Sequence, residues 1–516
     1  MDQGLRRILR RSQLFRRVLI AALVPVFLFI ALISWSLASP VGASPDDDYH
    51  MASIWCGQGV RENLCEEGAS AVERRVPATL LQYSGCYAFK PEASASCPQE
   101  PSSVLLNTSR GNFDGGYPPV FYGVMSVFAG DSISTSILVM RAVNAFFFLT
   151  LTATIFFLLP VARRGPLLWG SIVSLVPLGM FIIPSVNPSS WAVLSAATLW
   201  VSLLAYFQAQ TRSRLFAFGI LAAISTIVGA GARGDSAVYA AIAMVTVFML
   251  AFERTQSFLR RSLLPLGLGL VAVAFFFSAG QSAIVSPDAL SEGATRQEVV
   301  SLTISNILLL PQLWAGALGL WGLGWLDTTF PGLVWIPALV IFMSTLFWGL
   351  RRVSLRKGLA LGLVFGCLVL IPLYILVNDR VLVGSGVQPR YIYPLMIMLV
   401  GLAVLDLDRV DLGLSRVQLT VVAVCLSIAN TVALHVNIRR YVTGTDVGVL
   451  DLNKNAEWWW LLPISPMQVW AIGSLSFTLA LIGAVFFSVT RSEGIFPTSN
   501  VAASKHLDHG TRISAA

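Results

Sequence analysis

Lysine is nearly missing from this chain. Among 516 residues it occurs only at Lys90, Lys357, Lys454 and Lys505, and charged side chains of every kind amount to 12%. So little charge cannot cover a water-facing surface, which excludes a soluble globular protein. There is no Gly-x-x-x-x-Gly-Lys loop and no glycine fingerprint between a strand and a helix, so nothing here is built to cradle a soluble nucleotide. No Cys-x-x-Cys pair occurs, which counts against a zinc site. The net charge of +8 does not point to nucleic acid either. The arginines recur in small groups between apolar segments instead of gathering on one face.

What the chain has in abundance is apolar sequence: 55% hydrophobic residues and a mean hydropathy of +0.73. This is the composition of an all-α polytopic membrane protein. Arg6 to Arg17, Arg163 and Arg164, Arg212 and Arg214, Arg254 to Arg261, Arg351 to Lys357, and Arg409 to Arg416 read as cytoplasmic groups, with Arg491 after the last span. An even number of crossings must separate neighbouring groups. The segments 18–39 and 134–160, 166–184 and 189–209, 215–232 and 236–253, 358–378 and 391–405, and 417–437 and 468–490 fill five intervals in pairs. The interval from Arg261 to Arg351 holds three candidates, of which 301–325 is broken by Pro311, Gly316, Gly319, Gly322 and Gly324. It is expected to be a re-entrant or interfacial element.

The expectation is thus about twelve transmembrane helices. Residues 1–17 form a cytoplasmic N-terminus, 18–490 the membrane domain, and 491–516 a disordered cytoplasmic tail. The protein is expected in the plasma (inner) membrane with both termini on the cytoplasmic side and loops 40–133 and 283–331 on the outer side. Loop one, 40–133, carries Cys56, Cys65, Cys86 and Cys97. In an oxidising compartment these imply two disulfides, with three pairings open.

Directly after the first span comes Pro45-Asp46-Asp47-Asp48-Tyr49-His50. Three carboxylates and an imidazole at a membrane surface are costly unless solvated, metal-bound or used, which makes Asp46, Asp47 and His50 candidate catalytic residues. The two aspartates are also candidate ligands for magnesium or manganese, since hard cations take oxygen donors. Several arginines run against the positive-inside trend at the outer helix ends, among them Arg141, Arg233 and Arg390. A guanidinium fork matches phosphate oxygens and is weakly hydrated, so an anionic phosphate is one reason for cations near lipid. Trp458-Trp459-Trp460 reads as an interfacial belt or as a platform for sugar rings.

The order Pro45-Asp46-Asp47-x-x-His50, Tyr117-Pro118-Pro119 with Tyr122, Arg141 with Asn144, Gly324-Trp325-Leu326-Asp327-Thr328, and Gln388-Pro389-Arg390-Tyr391 resembles a bacterial membrane-protein family of unknown function, numbered 2142. That family is similar in architecture to the GT-C glycosyltransferases, which use lipid-phosphate-linked sugars and keep an acidic motif in the first outer loop. The resemblance implies that Asp46 or Asp47 is the general base. It adds Tyr117, Tyr122, Arg141, Arg233, Asp327, Arg390 and Tyr391 as substrate-binding residues.

The residues suit that chemistry on their own terms. Transfer from a polyprenyl phosphate needs a carboxylate to take the acceptor proton and cations to stabilise the leaving phosphate. The implied partners are a polyprenyl-phosphate sugar donor, a cell-envelope glycan, glycolipid or protein acceptor, and membrane lipid; no nucleic acid is expected. Two other readings use the same residues: a flippase for an anionic lipid-linked substrate, and a non-catalytic partner in envelope assembly.

Overall fold

The computed structural model describes residues 2–98, 103–280, 295–405 and 414–489. The protein is a multipass bundle. Among the described residues, ten helices of 18 to 27 residues are long and apolar enough to cross a bilayer, or eleven if one bent pair counts as a span. Two shorter apolar stretches, Ala22–Leu37 of the first helix and Pro389–Ala403, bring the set close to the expected twelve. Many helices are apolar all round, and large side chains such as Phe216, Leu270 and Phe347 face outward, as in a lipid-embedded bundle. Hydroxyls within the helices return to their own backbone: Thr198 Oγ1 donates to Leu194 O at 2.6 Å and Thr345 Oγ1 to Ile341 O at 2.8 Å. Helix starts are set by short polar caps, with complete capping boxes at Thr295 with Glu298 and Ser415 with Gln418.

Two expected elements take a different form. The segment 166–184 is not one straight span, because Val161–Ile172 and Leu175–Ile182 meet at 80°. Val176 ahead of Pro177 is extended, at φ −98° and ψ 131°, as a following proline requires, and the helix breaks there. The segment 301–325 begins within a continuous helix, Arg296–Ala317, that accommodates Pro311. This helix tracks one connection along its length. Asn306 donates to Val381 O and accepts from Val383 N, and Gly316 abuts Pro389. The expected tail 491–516, residues 283–294 and Arg409 lie outside the described residues.

The first helix, Asp2–Leu37, packs directly on the last, Pro466–Val489. A Cβ added at Gly473 would come within 2.6 Å of Ser34 Cβ, so the small residue is what permits the contact. Loop one folds over one end of the bundle. It carries a three-stranded antiparallel sheet, Glu66–Glu67, Arg74–Pro77 and Leu105–Thr108 in that order, and the short helices Asp47–Trp55, Ala78–Gln82 and Val120–Met125. Of the three pairings left open, the disulfides are Cys56–Cys65 and Cys86–Cys97.

Between the first helix and Asp47 the chain has no regular structure and is almost wholly buried. Its carbonyls therefore need partners from elsewhere, and nearly every one has its own. Arg141 donates to Ser36 O at 2.9 Å, Ser39 O at 2.5 Å and Pro40 O at 2.6 Å. Trp460 Nε1 reaches Leu37 O at 2.8 Å, and Asn437 Nδ2 reaches Ala38 O at 3.0 Å. Tyr87 OH donates to Val41 O at 2.8 Å, and Trp325 Nε1 to Gly42 O at 2.9 Å. Asn187 Nδ2 closes the series at Pro45 O, 2.9 Å away. Six side chains from separate elements thus hold a strap whose last residue is Asp46.

Candidate active site

Asp46 sits at the N-cap of helix Asp47–Trp55 with φ 59° and ψ 21°, the left-handed region that few residues other than glycine adopt. Aspartate is among those that tolerate it, and the turn is held from both sides, by Asn187 on Pro45 O and by His50 N donating to Asp46 O at 3.0 Å. The carboxylate makes no cap bond to its own helix. It points instead at two arginines. Arg390 Nη2 donates to Oδ2 at 2.6 Å and Arg110 Nη2 to Oδ1 at 3.3 Å. Burial acts to raise the Asp46 carboxyl, but the guanidinium groups of Arg390 and Arg110 hold it below the usual carboxylate range.

Arg390 is the second residue of helix Pro389–Ala403, whose start is set by a proline in the first turn. It is buried. Its Nη2 serves Asp46 and, at 3.0 Å, the hydroxyl of Tyr391, while Nε and Nη1 have no partner among the described residues. Buried guanidinium N–H groups without acceptors are costly, and an anion relieves that cost. Arg390 lines a narrow cleft, with a cavity volume of about 20 Å³, together with Pro45, Phe181, Gly316, Gly324 and Gln388.

An aromatic wall stands beside these charges. Arg233 is gripped by Asp235, with Nε to Oδ1 at 2.9 Å and Nη2 to Oδ2 at 2.7 Å, and also donates to Ser189 Oγ at 3.3 Å. The guanidinium lies 5.0 Å from the Tyr391 ring and 5.7 Å from the Tyr117 ring. His50 packs against Tyr117 and Tyr122, and its Nδ1 shares a 2.9 Å hydrogen bond with the Tyr122 hydroxyl. Burial holds the imidazole well below its ordinary range, so His50 is neutral near pH 7; its Nε2 has no partner among the described residues. The structure therefore gathers Asp46, His50, Tyr117, Tyr122, Arg233, Arg390 and Tyr391 into one cluster.

Three expected site residues point elsewhere. Asp47 is fully buried on the other side of the turn, where Oδ2 accepts from Ser44 N at 3.0 Å. Burial pushes its carboxyl up to about 7, opposed by nearby Arg141. Arg141 gives both Nη atoms to the strap carbonyls and so caps the end of the first helix, while its Nε has no partner among the described residues. Asp327 accepts from buried Arg440 at 2.7 Å and from Phe89 N at 3.1 Å. Arg440 also donates to Tyr87 O and Ala93 O, so this pair fastens the Cys86–Cys97 loop to helix Arg416–Val442. Trp460 and Trp325 likewise give their N–H groups to the strap, and Trp459 gives its own to Ile464 O.

The donor set does not suit a divalent metal. Both Asp46 oxygens face cations, and Asp47 turns away from Asp46 toward Ser44. No group of three His, Cys, Asp or Glu able to hold a metal is present among the described residues.

Sequence reasoning passed over Arg110 and Asn112, and counted Asp48 in the acidic cluster without giving it a role. Arg110 also binds both carboxylate oxygens of Asp48. Asn112 fixes the loop that carries Arg110, since its N–H donates to Ser53 Oγ at 2.8 Å and its side chain bonds the backbone of Tyr117. Both lie in a polar stretch with no periodicity or motif to mark them.

The chain belongs to the family of predicted membrane proteins DUF2142, whose model matches residues 28–399. Among solved structures, the apo oligosaccharyltransferase of Archaeoglobus fulgidus is similar at 12% identity and a TM-score of 0.34. The match covers 88% of this chain and 63% of that protein. No curated protein matches.

Proposed function

We propose that the protein is a membrane glycosyltransferase that moves a sugar from a polyprenyl-phosphate donor to a hydroxyl of a cell-envelope glycan, glycolipid or protein. In this reading loop one lies on the outer face of the plasma membrane and both termini are cytoplasmic. The observation that carries the proposal is Arg390, a buried guanidinium that binds Asp46 with one nitrogen and leaves Nε and Nη1 without a partner among the described residues. Planar N–H donors of this kind suit a phosphate, and the adjoining apolar residues of the cleft suit the start of a prenyl chain.

Asp46 takes the proton from the acceptor hydroxyl as its oxygen attacks the anomeric carbon. The bond from that carbon to the phosphate oxygen breaks, and the electron pair leaves with the polyprenyl phosphate, whose growing charge Arg390 stabilises. Tyr117 and Tyr391, held in place around Arg233, offer ring faces to the sugar. Neutral His50 orients Tyr122 and supports the turn that presents Asp46.

The test is transfer by purified protein from a labelled polyprenyl-phosphate hexose. Asp46→Asn keeps a side chain that tolerates the left-handed turn and removes the base, so the rate should fall by roughly 10²- to 10⁴-fold. Arg390→Gln should fall in the same direction. Undiminished transfer by both variants would overturn the proposal.

A further inference from the structure

Asp46 has one open side, and Arg110 stands on it. The Asp46 side chain is 39% exposed and its two cationic partners differ sharply, Arg390 at 4% and Arg110 at 49%. A hydroxyl approaching from solvent therefore meets Arg110 first. Arg110 lies in the loop between strand Leu105–Thr108 and helix Val120–Met125, and Asn112 ties that loop down. The loop is thus fixed and the long side chain is the part able to move. It has a second seat ready. Its Nε and Nη2 already bind both oxygens of Asp48, the latter at 3.0 Å, while its hold on Asp46 is a single 3.3 Å contact. A two-point grip on a carboxylate is stronger than a one-point grip.

On the reading of Asp46 as the base, we propose that Arg110 guards the carboxylate on the acceptor side and moves onto Asp48 alone when the acceptor hydroxyl binds. Arg110 is then a positioning residue. Before displacement Asp46 is paired by two guanidinium groups and is a weak base; afterwards Arg390 alone pairs it, and the freed Oδ1 accepts the hydroxyl hydrogen. The groups that face Asp46 are Arg390 from helix Pro389–Ala403, Arg110 from its loop and His50 from the helix that Asp46 caps, while Asp48 is joined to it through Arg110 and Asp47 turns away toward Ser44. Arg233, paired with Asp235, faces His50 from the connection before helix Gly234–Ala251.

Two readouts on the full-length protein in detergent test this. In the first, modification of Asp46 by a water-soluble carbodiimide is followed against pH by peptide mass spectrometry, which needs no substrate. Arg110→Gln should move the midpoint to higher pH. Asp48→Asn, which leaves Arg110 to Asp46 alone, should move it to lower pH. In the second, transfer from a labelled polyprenyl-phosphate hexose to octyl glucoside is measured. Arg110→Gln should lower the acceptor KM by roughly two- to fivefold, the worth of a solvent-exposed ion pair, and change KM more than kcat. Midpoints unmoved in both variants overturn the guard, as does a fall in kcat at constant KM, which would place Arg110 in the chemical step. Absence of transfer by the unaltered protein defeats the transferase reading instead. Transfer with an unchanged acceptor KM in Arg110→Gln defeats only the guard.

Discussion

Asp46 and Arg390 stand 344 residues apart in the chain and 2.6 Å apart in the fold. The contact joins two pieces of backbone fixed for different reasons. One is a buried strap held by side chains, and the other is a helix start set by Pro389. A carboxylate is favoured at a helix N-terminus and an arginine is not, so Asp46 stabilises both the first turn of Pro389–Ala403 and the cation within it. The ion pair is half open to solvent on the aspartate side only.

Arg141 and Arg390 differ in what they face, strap carbonyls for one and a carboxylate and a cleft for the other. The Arg141 guanidinium is buried and both Nη atoms are engaged with carbonyls of the strap, so Arg141→Gln should destabilise the protein by about 3–5 kcal/mol through orphaned backbone acceptors. Thermal unfolding in detergent checks the magnitude. Binding of a prenyl phosphate by the fraction that stays folded should be close to that of the parent, whereas a phosphate ligand at Arg141 would show as lost affinity at preserved stability.

The Asp327–Arg440 pair makes a related prediction at the Cys86–Cys97 loop. Both side chains are almost fully buried, at 5% and 0% exposure. Removing one partner strands a charge, so Asp327→Leu should cost about 3–5 kcal/mol, while the double change Asp327→Leu with Arg440→Met should cost clearly less. A double-mutant cycle on unfolding measures the coupling. A loss in the double variant equal to the sum of the two single losses would show that the ion pair contributes nothing beyond packing.

The sequence made the membrane class and the order of the main helices legible, because apolar length and arginine grouping act locally along the chain. It also marked Asp46, His50, Tyr117, Tyr122, Arg233, Arg390 and Tyr391, which the fold brings together. It did not separate the roles of its arginines. Arg141 and Arg390 are both buried cations near the same end of the bundle, yet one faces three carbonyls and the other a carboxylate and a cleft. That difference depends on contacts across more than 100 residues, which no local pattern carries. Asp46 and Asp47 are adjacent, and a left-handed turn sends them to opposite environments. Residue type alone holds no trace of that turn.

Asp47 gives the stability a particular pH dependence. Its carboxyl is raised from 3.8 to about 7 in the folded protein, chiefly by burial. A group with a raised pKa contributes stability that is fully present below its unfolded value and lost as pH rises through its folded value. The protein should therefore lose stability between about pH 4 and pH 7 on account of this residue. At ~1.4 kcal/mol per unit, the loss is on the order of a few kcal/mol. Asp47→Asn should flatten that slope and raise Tm at pH 8, as read by unfolding scans across pH. Asp46, with a depressed carboxyl, has the opposite sign: its contribution is lost as pH falls below the ordinary carboxylate range. An Asp47→Asn protein with the same pH profile as the parent would show that Asp47 is already charged and compensated in the fold.

Arg390 offers the most direct test of what the cleft holds. Its unpartnered Nε and Nη1 predict binding of a short prenyl phosphate even where no sugar is attached, so farnesyl phosphate is a sufficient probe. Titration should give measurable binding to the parent protein and about tenfold or greater weakening in Arg390→Gln, the loss expected when a charge-assisted contact is removed. Arg390→Lys should keep charge but lose the planar fork, and fall between the two. Farnesol, which has the same tail and no phosphate, should bind the parent and the Gln variant alike. The comparison isolates the anion: weakening of farnesyl phosphate and farnesol together would assign the effect to a deformed cleft, while weakening of the phosphate alone would assign it to the guanidinium.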